Sequence, residues 1–340
     1  MRALIIGFGN VGRTIARMLT TEISSFPALR RLDVKPVGII TRSRGSLVNA
    51  EGLDFEKALT DIENHGVFPD SNASCSTMTG QDAARTLDYD VLVELSTLNI
   101  SSRGEPAAAH IRTALARGKH VVSANKGPVA FCYDEMKDLS KKHGGRFLFE
   151  TTVMDGAPVF NLVRDTMKGC VVQSVDGIFN STTNYILDRM EQGVPLEEAV
   201  REAQKIGVAE ADPAHDLEGW DPAAKTAALA NVIMEGSITP LDVERTGITG
   251  LDMAQVREAA AGGQKYKLIC RAWRENGTVR ASVKPEKVPL SHHYATVSGG
   301  GAVLRICTDV MGPILVTQED PSLYDTAYGV LEDLLTLQLQ

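Results

Sequence analysis

The run Ala3-Leu4-Ile5-Ile6 leads without a break into Gly7-Phe8-Gly9-Asn10-Val11-Gly12, and a helix-like stretch, Thr14–Glu22, follows. Consecutive apolar residues without alternation suit a strand buried on both faces of a parallel sheet. In the GxGxxG pattern the first glycine permits a tight turn. The second lets backbone approach a pyrophosphate, and the third allows close helix–strand packing. The helix start turns its N–H groups toward phosphate oxygens. Directly after a strand and opening a helix, the pattern predicts a dinucleotide site made by Gly7, Phe8, Gly9, Asn10, Val11 and Gly12.

The next strand, about Val34–Ile40, ends in Thr41-Arg42-Ser43-Arg44-Gly45. An NAD site usually presents an acid there to the ribose 2′-hydroxyl, whereas arginine accommodates a 2′-phosphate. The window holds no acid, so NADP is favoured over NAD, with Arg42 and Arg44 as its candidates. Further strands at 91–95, 120–125 and 146–151 alternate with helices near 106–117 and 133–142, the mark of an α/β fold. Ser96 and Thr97 follow one strand, and Ser123 and Lys126 lie at the end of the next, where open sheets place ligands. A solvated loop position is the competing reading for Lys126.

After Glu150 the pattern changes to α+β. A small-residue loop, 151–159, leads into a helix to Met167 and a strand at 171–179. The polar turn Asn180-Ser181-Thr182-Thr183-Asn184 opens another helix. An amphipathic helix at 195–207 closes at Gly207, and a hairpin forms around Glu275-Asn276-Gly277. Another strand pair follows near 297–316, and a last helix covers Asp325–Leu337. The expected division is 1–148 plus about 320–340 for dinucleotide binding, and 149–319 for catalysis and dimerisation.

Glu210–Met234 concentrates the acids Glu210, Asp212, Asp216, Glu218 and Asp221 before a helix that Asp221 caps, with Pro222 first inside it. Lys225 lies four residues after Asp221, beside a stripe of Leu229, Val232 and Ile233. A lysine there either snorkels outward or enters a polar cleft, where it suits proton transfer. A capped surface helix with one ion pair explains the same residues.

The formal charge of −8 argues against nucleic-acid and anionic-membrane partners. Five scattered cysteines without a CxxC pair predict reduced core or near-core thiols, with no zinc or disulfide framework. Neither a secretory signal nor a membrane-length apolar run stands out, which predicts a cytoplasmic protein.

GFGNVG, SANKGP, ETTVMDGAPV, DGIFNSTTNYI, GVAEADPAHDLEGWDPAAKTAALA and VPLSHHYATVSG occur in the order and spacing of homoserine dehydrogenases, and over most of its length the chain resembles that family. The resemblance implies interconversion of L-aspartate 4-semialdehyde and L-homoserine with NAD(P)H. It also implies a likeness to short members, without an aspartokinase portion or a C-terminal regulatory domain, and a homodimer whose last helix returns to the nucleotide domain. Carried onto this sequence, Lys225 is the general acid/base with Asp221 beside it, and Lys126 is the second catalytic lysine. Glu210 helps hold the substrate's amino end, with Asp216 and Thr182 as further substrate candidates. A sodium or potassium ion is implied at Glu150, Val153, Asp155 and Ala157.

Two departures stand out. The cation loop reads Val153-Met154-Asp155-Gly156, and LVTQEDPSLYDTAYG replaces a glycine-rich run near the nicotinamide end. The second leaves open a related oxidoreductase acting on another amino-acid aldehyde or amine. A non-catalytic dinucleotide sensor is the other alternative, and it has no need of both lysines and the acidic cluster.

Overall fold

The structure, a computed structural model, describes residues 1–339. It divides into two compact units, Met1–Pro158 with the segment from Ser322 onward, and Val159–Pro321.

The first unit begins with β1 (Arg2–Ile6) and α1 (Asn10–Leu19). It continues through β2 (Lys35–Ile40), β3 (Ser46–Val48), α2 (Phe55–His65), β4 (Cys75–Ser76) and α3 (Gly80–Thr86). The chain then passes β5 (Val91–Glu94), α4 (Ala107–Ala116), β6 (His120–Ser123), α5 (Lys126–His143), β7 (Phe147–Leu148) and α6 (Thr151–Met154). The strands form one sheet in the order β4-β3-β2-β1-β5-β6-β7. It is parallel from β2 to β7, with β3 and β4 added antiparallel at one edge. These edge strands are too short to show a period in sequence, and β4 falls within 51–89, which reads as helix and loop.

The apolar run of β1 serves two cores. Ala3 and Ile5 pack on one face with α1 and α2, while Leu4 and Ile6 pack on the other with α3 and α4. β1 neighbours β2 on one side and β5 on the other, so strand order reverses there. Ligands of open α/β sheets bind at that reversal.

The second unit opens with α7 (Val159–Thr166), β8 (Val172–Ile178), α8 (Ser181–Glu191), α9 (Leu196–Lys205) and α10 (Ala214–Leu217). It goes on to α11 (Trp220–Ile233), β9 (Glu244–Arg245), α12 (Met253–Ala261), β10 (Gln264–Glu275), β11 (Thr278–Pro289), β12 (Ala302–Thr308) and β13 (Ile314–Gln318). Its sheet has the order β13-β12-β8-β10-β11-β9. The β10–β11 hairpin turns at Asn276 and Gly277, both at positive φ (48° and 80°), as an Asn-Gly two-residue turn requires. A final helix, α13 (Leu323–Gln338), belongs to the first unit, where Ala327, Val330, Leu331, Leu334 and Leu335 enter the core beside α1.

Three expectations are corrected. The strand expected at 146–151 stops at Leu148, because the Glu150 N–H donates to Asp333 Oδ2 (2.9 Å) and the Thr151 hydroxyl to the Thr326 carbonyl (2.9 Å). Both acceptors lie on α13, and the expected loop there begins as a helical turn. Asp221 does not cap α11. Gly219 does, at φ 82°, and Asp221 sits inside the first turn. Arg245 stacks on the Trp220 ring at 3.7 Å and donates to the Glu218 carbonyl, which holds that turn. All five cysteines are free, yet Cys75 is exposed rather than near-core, since it lies on the edge strand β4.

Gly177 lies in β8, between β10 and β12. A Cβ there would stand 1.9 Å from the Val303 carbonyl oxygen and 2.7 Å from the Phe179 ring. Backbone cannot yield as a flexible side chain can. Gly177→Ala is therefore expected to cost about 3 kcal/mol and to lower Tm by roughly 5–10 °C in thermal unfolding. An unchanged Tm would contradict this packing.

Candidate active site

In the first unit, each glycine of the loop has its own reason. Gly7 adopts φ 102°, and a Cβ there would lie 2.7 Å from the Leu95 carbonyl group and 2.9 Å from Ser96 N. The loop thus rests on the end of β5. At Gly12 a Cβ would meet the Gly7 carbonyl oxygen at 3.0 Å and the Phe8 ring at 3.2 Å, so packing restricts it too. Gly9 is different, because no described protein atom lies within 4 Å of where its Cβ would be. Packing does not require glycine there. The start of α1 is open at this point, and the residues fit a dinucleotide pyrophosphate. Phe8 is buried, 5.9 Å from the Phe68 ring, while Asn10 is exposed and Val11 half-buried.

Beyond β2, Arg42 is exposed and Arg44 half-buried, with the Arg44 guanidinium near the Gly66 carbonyl (3.4 Å). Sequence reading missed Arg13, which bonds Asn10 Oδ1 (2.7 Å) and the Gly9 carbonyl (3.3 Å). Burial, and then the neighbouring charge of Arg44, hold its guanidinium below the ordinary arginine range. Its place one residue after Gly12 was the available signal.

The ends of β5 and β6 are tied together. Asn125 Nδ2 donates to Ser96 Oγ and to the Thr97 carbonyl, both at 3.3 Å, and the Ser123 hydroxyl bonds the Asn125 backbone. Asn125 also caps α5, so Lys126 is the first residue of a helix and half-buried rather than on a solvated loop. The helix runs on past the expected start near Tyr133, through a kink at Cys132. Beneath this turn the wholly buried Glu94 accepts from Ser96 N (2.8 Å) and from the His110 ring (2.8 Å).

In the second unit, the end of β8 carries the acid and lysine cluster. Lys225 Nζ donates to the Phe179 carbonyl at 2.7 Å and lies 3.6 Å from Asp221 Oδ2. Its side chain is 16% exposed, so it does not snorkel into solvent. Asn180 Nδ2 donates to Asp216 Oδ1 (2.7 Å) and to Asp221 Oδ2 (3.0 Å). Burial, reinforced by Asp221, raises the Asp216 carboxyl above the ordinary aspartate range. Bonds from Asn180 and Thr182, and the charge of Lys225, oppose that rise. The Thr182 hydroxyl also donates to the Val208 carbonyl at 3.0 Å. Glu210 is exposed on the segment that follows, and its carbonyl accepts from Gln204. The structure thus gathers Lys225, Asp221, Asp216 and Thr182 around Asn180, and leaves Glu210 outside that network.

Of the cation-loop residues, Glu150, Val153 and Ala157 are buried. Asp155 turns at φ 47°, and its carboxylate accepts from the Thr326 hydroxyl at 2.7 Å. Among the described residues no group of three or more His, Cys, Asp or Glu could hold a metal ion.

Comparison with known proteins gives the family of the chain. The sequence model described as homoserine dehydrogenase matches residues 158–335, and the one described as homoserine dehydrogenase, NAD binding domain, matches residues 7–150. A homoserine dehydrogenase of Methanocaldococcus jannaschii is 35% identical over 339 residues, covering 98% of this chain and 98% of that one. The chain belongs to the homoserine dehydrogenase family. It is an oxidoreductase of the CH–OH group that uses a nicotinamide dinucleotide to interconvert L-aspartate 4-semialdehyde and L-homoserine. An NAD(+)-dependent homoserine dehydrogenase of Pseudomonas canavaninivorans is 31% identical, with 97% of this chain and 94% of that one covered. A hyperthermophilic archaeal homoserine dehydrogenase solved in complex with NADPH superposes with a TM-score of 0.83 at 26% identity, covering 99% and 97%.

For a homoserine dehydrogenase, the contrast between Gly9 and its neighbours gives a clean expectation. The Cβ of Gly9→Ala meets no described atom beyond its chain neighbours, so Tm should stay within about 1 °C. Binding of NAD(P)H, measured by fluorescence titration, should weaken by about tenfold or more. Wild-type affinity in a folded Gly9→Ala protein would remove the pyrophosphate from this loop.

Proposed function

We propose that Lys225 is the general acid/base of this homoserine dehydrogenase. The observation that carries the proposal is the Lys225 ammonium, screened from solvent and held between the Phe179 carbonyl and Asp221. A bound nicotinamide dinucleotide supplies or accepts the hydride at the reacting carbon. In the reducing direction the Lys225 N–H stabilises the developing alkoxide and gives it a proton, and in the oxidising direction the amine takes the hydroxyl proton. Lys126 is the second catalytic lysine. Asp221 aims Lys225, and Asp216, Glu210 and Thr182 receive the substrate's amino end, where charge-assisted bonds to an ammonium are strong. Lys225→Ala should lower kcat/KM by about 10²–10⁴ with NADPH affinity unchanged. Near-normal turnover would reject the assignment.

NADP is the proposed dinucleotide, held by Gly7 to Gly12, by Ser96, Thr97, Ser123 and Lys126, and at its 2′-phosphate by Arg42 and Arg44. No acid follows β2, and Arg13 adds positive charge beside Arg44. Replacing Arg42 and Arg44 together by alanine should raise KM for NADPH by about 10–100-fold and move that for NADH little. An equal rise for both would transfer the selectivity elsewhere. A sodium or potassium ion on the carbonyls of Glu150, Val153, Asp155 and Ala157 is part of the same reading. The assembly is a homodimer, and the concave face of the second sheet lined by Arg271, Trp273, Lys284 and Glu286 supports it. No helix among the described residues is long and apolar enough to cross a membrane, and the cytoplasm is the proposed place of the enzyme.

A further inference from the structure

Asn180 ends the short link between β8 and α8, and it is buried at 4% exposure. Its carboxamide is committed at both ends. The Oδ1 atom accepts from Thr183 N and from the Thr183 hydroxyl, each at 2.8 Å, which fixes which end is oxygen. The Nδ2 atom carries two hydrogens, and each faces a different carboxylate, Asp216 at 2.7 Å and Asp221 at 3.0 Å. One amide nitrogen therefore sets the separation of two acids that would otherwise repel. The preceding residue, Phe179, gives its carbonyl to Lys225, so the same two-residue link grips the amine and both aspartates.

A capping asparagine needs only its oxygen. The use of both amide hydrogens, away from the helix, is what capping leaves unexplained. We propose that Asn180 is a positioning residue for the reaction, holding Asp216 and Asp221 in the arrangement that orients Lys225 and receives the substrate. The proposal rests on the assignment of Lys225 and Asp216 above.

The charged groups facing Asp216 are Asp221 and Lys225, both on α11, while α8 adds the neutral Asn180 and Thr182. The Cys270 thiol faces Lys225 and Asp221 from β10, and burial pushes it up to about 12, so it stays neutral. Asn180 favours the ionised Asp216. Loss of its amide hydrogens raises the Asp216 carboxyl further, and the acid limb of the kcat/KM profile then moves to higher pH.

Asn180→Ser keeps a capping oxygen and deletes the amide donors. Asn180→Asp keeps the cap and the volume but turns an oxygen toward the two acids. Each is compared with the wild type and with Lys225→Met, in steady-state kinetics from acid to neutral pH, with Tm and NADPH affinity measured on the same samples. Both Asn180 variants should lose about 10–100-fold in kcat/KM at neutral pH. Their acid limbs should shift upward, more for Asn180→Asp, with NADPH affinity unchanged. A purely structural role would lower Tm and leave the limb in place. If Asn180→Ser does not fold, Asn180→Asp decides alone. Wild-type profiles in folded Asn180 variants, beside an inactive Lys225→Met, overturn the role of Asn180 and leave Lys225 standing. An active Lys225→Met overturns the assignment beneath it, and the proposal with it.

Discussion

The Phe179 carbonyl is the first backbone group past β8, and it accepts from Lys225 across 2.7 Å. Taking an ammonium out of water costs several kcal/mol unless oxygens replace the water it leaves. That constraint explains much of the second unit. β8 lies inside the sheet, between β10 and β12, so its end is fixed from both sides. Gly177 lets Val303 approach at the distance the sheet requires. The chain must then turn at once into α8 to present both the Phe179 oxygen and the Asn180 amide.

A second buried amine in the same unit shows what a purely structural lysine looks like. Lys267 is wholly buried on β10 and donates to Asn184 Oδ1 (2.8 Å), Asp188 Oδ1 (2.6 Å) and the Val297 carbonyl (2.7 Å). All three of its donors are committed, and burial lowers its pKa. Asp188 passes the restraint on to Gly299 N. Lys225 has one short bond and a longer ion pair, which leaves capacity for an arriving oxygen. Lys267 holds the loop at Val297 against α8.

The nucleotide-binding half was legible in sequence because its signals are local. β1 shows as an apolar run and the glycine loop as a motif, and in the second unit the hairpin at Asn276-Gly277 shows in the same local way as a turn type. Residues defined by their partners were harder to read. Asn180 was visible only as one polar residue in a turn, since nothing local says that its amide meets Asp216 and Asp221, 36 and 41 positions later. Glu94 and His110 meet in the same way, and so do Lys267 and its partners Asn184 and Asp188. The capping error at Asp221 has a related cause. An aspartate before a proline is a strong local signal, but Gly219 and the stacking of Arg245 on Trp220 set the start of α11.

α13 carries a consequence for how the protein is made. The first unit's core needs Val330, Leu331, Leu334 and Leu335, which the ribosome adds only after the whole of Val159–Pro321. At ~5–20 residues per second, the N-terminal sheet waits on the order of ten seconds to half a minute with one apolar flank uncovered. The inserted unit meets no such delay, since its strands all arrive within one continuous stretch. Vectorial synthesis thus favours a chain whose middle matures before its beginning.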